Sequence, residues 1–309
     1  MTVAVIGWAQ QTNAELAAAW RSLGLDAHLL TPEEALVCLE PGDVALGRLD
    51  VVPTLDGIEP GLDLLGELRE RDIRLLNPPE SLICTHDKLA TEAALARAGL
   101  PRPRTWRIGP DATEADLEPP LVLKPRFGSW GRDVFRCADR DELAQTLAEI
   151  RARRWFAHDG AVAQDLLPTP GYDLRMVVAG SRAIGAAHRV ARPGEWRTNV
   201  SLGGTLRATV PSLEACELAI AVADSLGTDL VGVDLIPLEA GGFSVIEANG
   251  AVEFDERYSL VGGNVYLATA EALALPASVV GFPHRPAVIA RMPSAPRRGM
   301  LAARRKEPR

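Results

Sequence analysis

Lysine is nearly missing from this 309-residue chain: Lys88, Lys124 and Lys306 stand beside 30 arginines. The composition supplies arginine wherever any cation will serve. Lys88 and Lys124 therefore mark places where a compact ammonium, not a planar guanidinium, is wanted. Cysteine is scarce too: Cys38, Cys84, Cys137 and Cys216 are far apart and form no CxxC pair. That excludes a disulfide framework and a thiolate zinc site and leaves reduced, mostly packed thiols as the expectation. No apolar run approaches the roughly 18–20 residues that cross a bilayer. The opening Met1-Thr2-Val3-Ala4-Val5-Ile6-Gly7 lacks a basic flank and reads as a first strand, not a signal peptide, so the expected location is cytoplasmic. After Gly7, the stretch Trp8-Ala9-Gln10-Gln11 carries none of the further glycines of a dinucleotide fingerprint.

With 47% hydrophobic and 24% charged residues, the composition is that of a globular chain of two or three domains. The net charge is −8, but residues 285–309 hold eight Arg/Lys against a single acid, Glu307. Residues 1–284 therefore carry 25 basic and 40 acidic groups, a net of −15, which argues against nonspecific nucleic-acid binding. The basic, proline-containing tail is expected to be disordered.

Apolar β-branched runs and amphipathic segments alternate over the first 80 residues: strands at 3–6, 25–30, 43–46 and 73–76, with a helix capped by Asn13 and another over 60–71. This is the pattern of a parallel sheet covered by helices. One amphipathic helix is expected over 85–98. The strand 121–124 then enters a Pro125–Gly131 loop, followed by a strand at 133–136 and a helix over 139–154. Strands at 161–167, 173–178 and 182–190 read as largely antiparallel. A helix capped by Ser212 runs to Leu226, two strands follow at 230–237 and 243–248, and a last helix starts near Asn264.

The two late strands carry the strongest chemistry. A hairpin centred between Ala240 and Gly241 sets Asp234 directly opposite Glu247, with Cβ atoms about 4.5–5.5 Å apart. Asn249, two residues on, shares the face of Glu247. Facing carboxylates among apolar neighbours call for something positive between them, and three oxygen ligands suit Mg²⁺. An acidic pair at a solvent edge is the alternative. A second feature is Lys124-Pro125-Arg126-Phe127-Gly128-Ser129-Trp130-Gly131, where Gly128 and Gly131 let backbone N–H groups close on an anion beside a lysine. Taken alone, that segment is equally an ordinary β-hairpin. Gln164-Asp165-Leu166-Leu167 could read an adenine edge, with Asp173 and Arg175 following, although a core strand with a surface acid gives the same pattern. The run from His188 to Asn199, with Arg189, Arg192 and Arg197, suggests a local anion site or a solvated basic face.

In order and spacing, these pieces resemble the ATP-grasp superfamily, in particular RimK-type carboxylate–amine ligases, over roughly residues 75–270. The resemblance rests on Asn77, His86-Asp87-Lys88-Leu89, Gly99-Leu100-Pro101, Val122-Leu123-Lys124-Pro125, Gln164-Asp165, Asp173-Leu174-Arg175, Arg197-Thr198-Asn199, Gly203-Gly204, Gly232-Val233-Asp234 and Ile246-Glu247-Ala248-Asn249. It implies an α/β (α+β overall) ATP-grasp fold: an N-terminal parallel-sheet domain (1–83), a central lid (84–167), a C-terminal antiparallel-sheet domain (168–284) and the tail (285–309).

The resemblance also assigns roles. ATP phosphates fall to Lys88 and Lys124, the adenine hinge to Asp165 and Leu167, and the ribose side to Asp173, with Gly128, Ser129, Gly131, Gln164, Leu166 and Arg175 completing the expected nucleotide-binding set. Arg189, Arg197 and Asn199 take the reacting phosphate, and Asp234, Glu247 and Asn249 hold Mg²⁺, or Mn²⁺, at two ions per site. The activity implied is amide formation through an acylphosphate, joining an amino acid such as glutamate to a carboxylate of a small molecule, peptide or acidic carrier protein. A homo-oligomer is expected, with no membrane or specific nucleic-acid partner. Two departures stand out: Leu202 replaces the Arg that many relatives carry before Gly-Gly, and Glu253-Phe254 is nearer the lysine-biosynthesis branch. A kinase, or a nucleotide-binding protein with an impaired site, are the other readings.

Overall fold

The computed structural model describes residues 1–8, 11–111, 113 and 117–275. The basic tail expected over 285–309 and the end of the last expected domain lie outside the described residues.

The chain opens with β1 (Thr2–Ile6), α1 (Gln11–Ser22), β2 (Asp26–Leu30), α2 (Pro32–Cys38), β3 (Val44–Gly47), α3 (Leu62–Glu70) and β4 (Arg74–Leu76). The four strands make a parallel sheet in the order β2-β1-β3-β4. Val3–Ile6 is buried on both faces, as a parallel strand between helix layers must be. Leu16 and Trp20 of α1 pack on one face, and Ala35, Leu65 and Leu68 on the other. Asn13 does not cap α1, which starts at Gln11. Its fully buried side chain accepts a hydrogen bond from Arg48 Nε and donates to the Trp8 carbonyl. The sequence reading passed over α2, although Thr31 and Glu34 form a reciprocal capping box there.

Next come α4 (Pro79–His86) and α5 (Lys88–Arg97), where a single helix over 85–98 was expected. The break lies at Asp87, whose extended backbone ends α4 and whose carboxylate caps the Leu89 amide. Its side chain also binds Arg126 through paired hydrogen bonds of 2.9 and 2.6 Å.

β5 (Thr105–Ile108), β6 (Leu121–Pro125), β7 (Phe135–Cys137), α6 (Arg140–Ile150), α7 (Arg154–Asp159) and β8 (Ala161–Asp165) build the second unit. Its antiparallel sheet runs β5-β8-β6-β7, covered by Leu143, Leu147 and Phe156. The helix expected over 139–154 is α6, capped by Asp139, and a separate α7 follows. β7 starts later than the expected 133–136 because Trp130 (φ 64°), Gly131 (φ 70°) and Asp133 (φ 51°) hold a left-handed turn before it.

The third unit holds β9 (Tyr172–Ala179), β10 (Arg182–Val190), β11 (Thr205–Ala208), α8 (Leu213–Leu226), β12 (Leu230–Pro237), β13 (Phe243–Asn249) and α9 (Val265–Ala272). The antiparallel sheet runs β11-β10-β9-β12-β13, with α8 on one face. Val177, Ile184, Phe254 and Tyr266 on the other face share a core with Val3, Val5 and Trp20, so the first sheet is fused to the third. Asn77 fastens the joint: its amide accepts from the Asp229 and Leu230 backbone N–H groups and donates to the Leu230 and Gly250 carbonyls.

Candidate active site

One cleft lies between the second and third sheets, and every residue given a site role from the sequence except Arg175 and Asn249 lines it. Those two line a larger chamber of about 510 Å³ on the side of the first sheet. Ser129, Arg189, Asn199 and Glu247 line both cavities and form the wall where they meet.

The cleft floor is a ladder of charges across the third sheet. Asp234 pairs directly opposite Glu247 on β13, as expected from the hairpin. The route differs: Pro237 pairs with Phe243, which centres the turn on Ala240, and the bulged residue Ile246 restores the register. On the other side Asp234 faces Arg175 of β9, and Asp173 faces Arg189 of β10. Arg175 grips Asp234 at 2.7 and 2.8 Å, and Arg189 reaches the same carboxylate at 2.7 Å while also binding Asp173. Burial opposes the Asp234 charge, yet these two guanidiniums hold its carboxyl well below the usual range. Burial likewise opposes the Arg189 charge, but Asp234 and Asp173 outweigh it and raise that guanidinium well above its ordinary value. The positive charge that facing carboxylates require is thus supplied by the protein. Two of the three oxygen donors expected on a metal are engaged within the protein: Asp234 is held by arginines, and Asn249 Oδ1 accepts from the Ala251 amide.

Lysines fill the opposite wall. Lys88, first residue of α5, reaches Glu247 at 2.9 Å and donates to the Gly128 carbonyl at 2.8 Å, tying the glycine loop to β13. Burial opposes ionisation of Glu247, but Lys88 and Lys124 overcome it and lower its pKa. Lys124 is the next-to-last residue of β6 and buried, and burial pulls its ammonium down to about 8. Ser129 Oγ, within the glycine loop, is buried with no hydrogen-bond partner.

Other expected contacts are redirected. Both Asp173 oxygens are taken by Arg189, and one also accepts from Thr198 Oγ1 at 2.6 Å, so this carboxylate is not free for a ribose. Asp165 is bound by Arg104 at 2.8 and 3.1 Å. Gln164 donates to Thr105 Oγ1, and Leu166 and Leu167 lie just beyond β8. Arg197 donates to the Gly131 carbonyl and pairs with Glu195, whose carboxyl is drawn to about 2 by its hydrogen bonds with that arginine. Asn199 stands against the loop: a Cβ added at Gly131 would meet its Oδ1 at 2.6 Å.

Residues 85–272 match the RimK-like ATP-grasp domain family. The chain belongs to that family. It is 31% identical over 222 residues to the tetrahydromethanopterin:alpha-L-glutamate ligase of Methanosarcina acetivorans, covering 66% of this chain and 68% of that one. It is also 31% identical over 196 residues to the alpha-aminoadipate–LysW ligase LysX of Saccharolobus solfataricus, covering 62% and 70%. Among solved structures, the RimK-domain ATP-grasp protein of Sphaerobacter thermophilus superposes with a TM-score of 0.63 at 22% identity, covering 89% of this chain and all of that one. The chain spans between 48% and 70% of the length of the curated relatives it matches. Among the described residues no helix is long and apolar enough to cross a membrane.

The ATP-grasp cleft has the chemistry for a nucleotide's phosphates. An unpartnered buried hydroxyl, a buried ammonium and a turn of left-handed backbone meet at one loop. Glu247 and Asn249 supply oxygen donors suited to a divalent ion, and Asp234 would join them only by giving up its arginines. The sequence reading missed the first-sheet side of the chamber: Gln11, Thr12 and Asp50, with Glu253 opposite. A signal for them existed. They follow β1 and β3, whose carboxyl ends lie where the strand order reverses, the place where open α/β sheets bind ligands.

Proposed function

We propose that this chain is an ATP-dependent carboxylate–amine ligase that forms an amide through an acylphosphate. What carries the reading is the pair of cavities: one lined by two lysines, arginines and the glycine loop, one open for acid and amine, sharing Ser129, Arg189, Asn199 and Glu247 as a common wall. A carboxylate is a poor acyl donor because oxide would have to leave; phosphorylation gives it a leaving group. The substrate carboxylate attacks the terminal phosphate of ATP at the shared wall, releasing ADP and leaving an acylphosphate; a deprotonated amine then attacks the acyl carbon and expels phosphate, losing its second proton as the amide forms.

In this reading Lys88 and Lys124 neutralise the phosphates, and Ser129 with the Gly128 and Gly131 backbone closes over them. Arg189 steadies the transferring group, helped by Arg197 and Asn199. Gln164, Asp165, Leu166 and Leu167 flank the base, with Asp173 and Arg175 acting through the charge ladder. Glu247, Asn249 and Asp234 would hold a divalent ion, which would supply further charge neutralisation at the phosphates. Mg²⁺, with Mn²⁺ as the alternative, at two ions per site is our reading. The lid at 84–167 excludes water from the acylphosphate, between units at 1–83 and 168–284. The acceptor is a small-molecule, peptide or carrier-protein carboxylate, and the assembly is a homo-oligomer in the cytoplasm.

An ADP-release screen of amino acids against carboxylates, with products weighed by mass spectrometry, tests this. ADP release that needs both partners and yields an amide supports it. A stable phosphorylated product with no amine requirement indicates a kinase, and tight ATP binding without turnover an impaired enzyme; either result overturns the ligase.

A further inference from the structure

Buried carboxylates in folded proteins are held by a cation or pushed to neutrality. Asp87, Asp173, Asp234 and Glu247 each have a basic side chain in hydrogen-bond reach. Asp50 differs. Only 3% of it is exposed, and one of its oxygens accepts the Val51 amide at 2.7 Å. The nearest ionisable nitrogen, His86 Nδ1, stands 3.8 Å away, and burial and the nearby Lys88 depress that imidazole to about 4, so it brings no charge. Arg48, fully buried, gives its hydrogen bonds to Asn13 and the Val252 carbonyl and compensates the acids around it only at longer range.

Glu253 has the same character. Its Oε2 accepts from the Thr12 hydroxyl at 2.8 Å, and its Oε1 is buried without a partner. Both carboxylates face the 510 Å³ chamber, and Asp50 follows β3 at the strand-order reversal of the first sheet. Asp50 is also close enough to Glu247, on the shared wall, for their charges to interact. The wall therefore has a buried acid, Asp50, and a half-buried one, Glu253, with one buried oxygen, no neighbouring cation hydrogen-bonded to either among the described residues, and an opening toward the reacting end of the cleft.

We propose that Asp50 and Glu253 form the subsite for the ammonium group of the amine substrate, so that the chain accepts a primary amine arriving as a cation and rejects its N-blocked form. This rests on the ligase reading for the identity of the chamber, but its binding step is separable from turnover.

The test uses the full chain, as wild type, Asp50→Asn and Glu253→Gln. Calorimetric titration and thermal shift with the proteinogenic amino acids and their Nα-acetyl derivatives read binding directly. At least one free amino acid should bind the wild type and raise its melting temperature, while its acetylated form does neither. Asp50→Asn should weaken that affinity at least tenfold and Glu253→Gln severalfold, with ATP affinity changed less than twofold in both. In turnover, the amine KM should rise at least tenfold while the KM for ATP stays. Equal binding of the acetylated form, wild-type affinity in both variants, a parallel loss of ATP affinity, or no binding of any amine overturns the subsite. Amine binding that follows the expected pattern in a protein that never releases ADP would sink the ligase reading and leave the subsite standing.

Discussion

The cleft floor and the chamber wall treat buried charge in opposite ways. On the floor, Glu247, Asp234, Arg175, Asp173 and Arg189 are spread over neighbouring strands, and each finds a counterpart of opposite charge inside the protein. On the wall, buried Asp50 and half-buried Glu253 stand beside neutral hydrogen-bonding groups, with the Arg48 guanidinium acting on both without a hydrogen bond to either. A buried pair is costly to break because removing one partner strands the other. An unpaired buried acid is already at a cost, and removing its charge relieves the fold. The floor is thus a structural frame that places its groups, and the wall holds charge in reserve for something that comes and goes.

The largest break of that contrast is Arg189→Met, which leaves Asp173 and Asp234 facing each other with one arginine between two carboxylates. A loss of about 3–5 kcal/mol in urea unfolding is expected, whereas Asp50→Asn should lose nothing. Arg189→Met within about 1 kcal/mol of wild type would show that the ladder does not hold the floor.

Next is Lys124→Met. A buried ammonium with a pKa drawn to about 8 burdens the empty protein, so the variant should be as stable as wild type or more so. ADP release should nevertheless fall by about 10²-fold or more. Full ADP production would remove Lys124 from the phosphate site. Linkage gives a companion readout: the unfolded lysine, near 10.5, holds its proton where the folded one has lost it. Wild-type stability should then rise between about pH 8 and 10.5, relative to the variant.

His86 gives the third effect. Its folded pKa of about 4 lies below its ordinary 6.5, so the unfolded chain binds more protons between those values. Stability should rise with pH across that window and be fully present above it, and fall by up to a few kcal/mol as pH drops toward 4. His86→Gln should flatten this part of the curve in urea midpoints taken from pH 4 to 7, and an unchanged slope would contradict the neutral imidazole.

The smallest effect belongs to Gly131→Ala. At φ +70° a Cβ is strained and would press on Asn199 Oδ1, so about 1 kcal/mol of stability should go, with a raised KM for ATP. An unaltered KM would detach the glycine loop from nucleotide binding.

Much of this was legible in the residues. Two lysines in an arginine-rich chain pointed to the cleft, and both line it. The Asp234–Glu247 pairing followed from period-two strands and a short turn, even though a bulge at Ile246 was needed to produce it. The helix break at Asp87 was passed over although a local signal existed, an aspartate that caps the Leu89 amide; only its anchoring by Arg126 depends on residues far along the chain. The fate of Asp173 and Asp234 was not legible, since the arginines that claim them sit on other strands, in a register no local pattern declares. Asp50 belongs to no motif and Glu253 only to the Glu-Phe pair, and the two are brought together by the packing of the first sheet on the third.

Order and spacing along the chain determined the family, the alternation of elements and which side chains share a strand face, because these depend on local periodicity and short turns. Only the assembled sheets decided which charges neutralise one another and which stay unpaired. That depends on neighbours from distant segments, and on how little water is left between them.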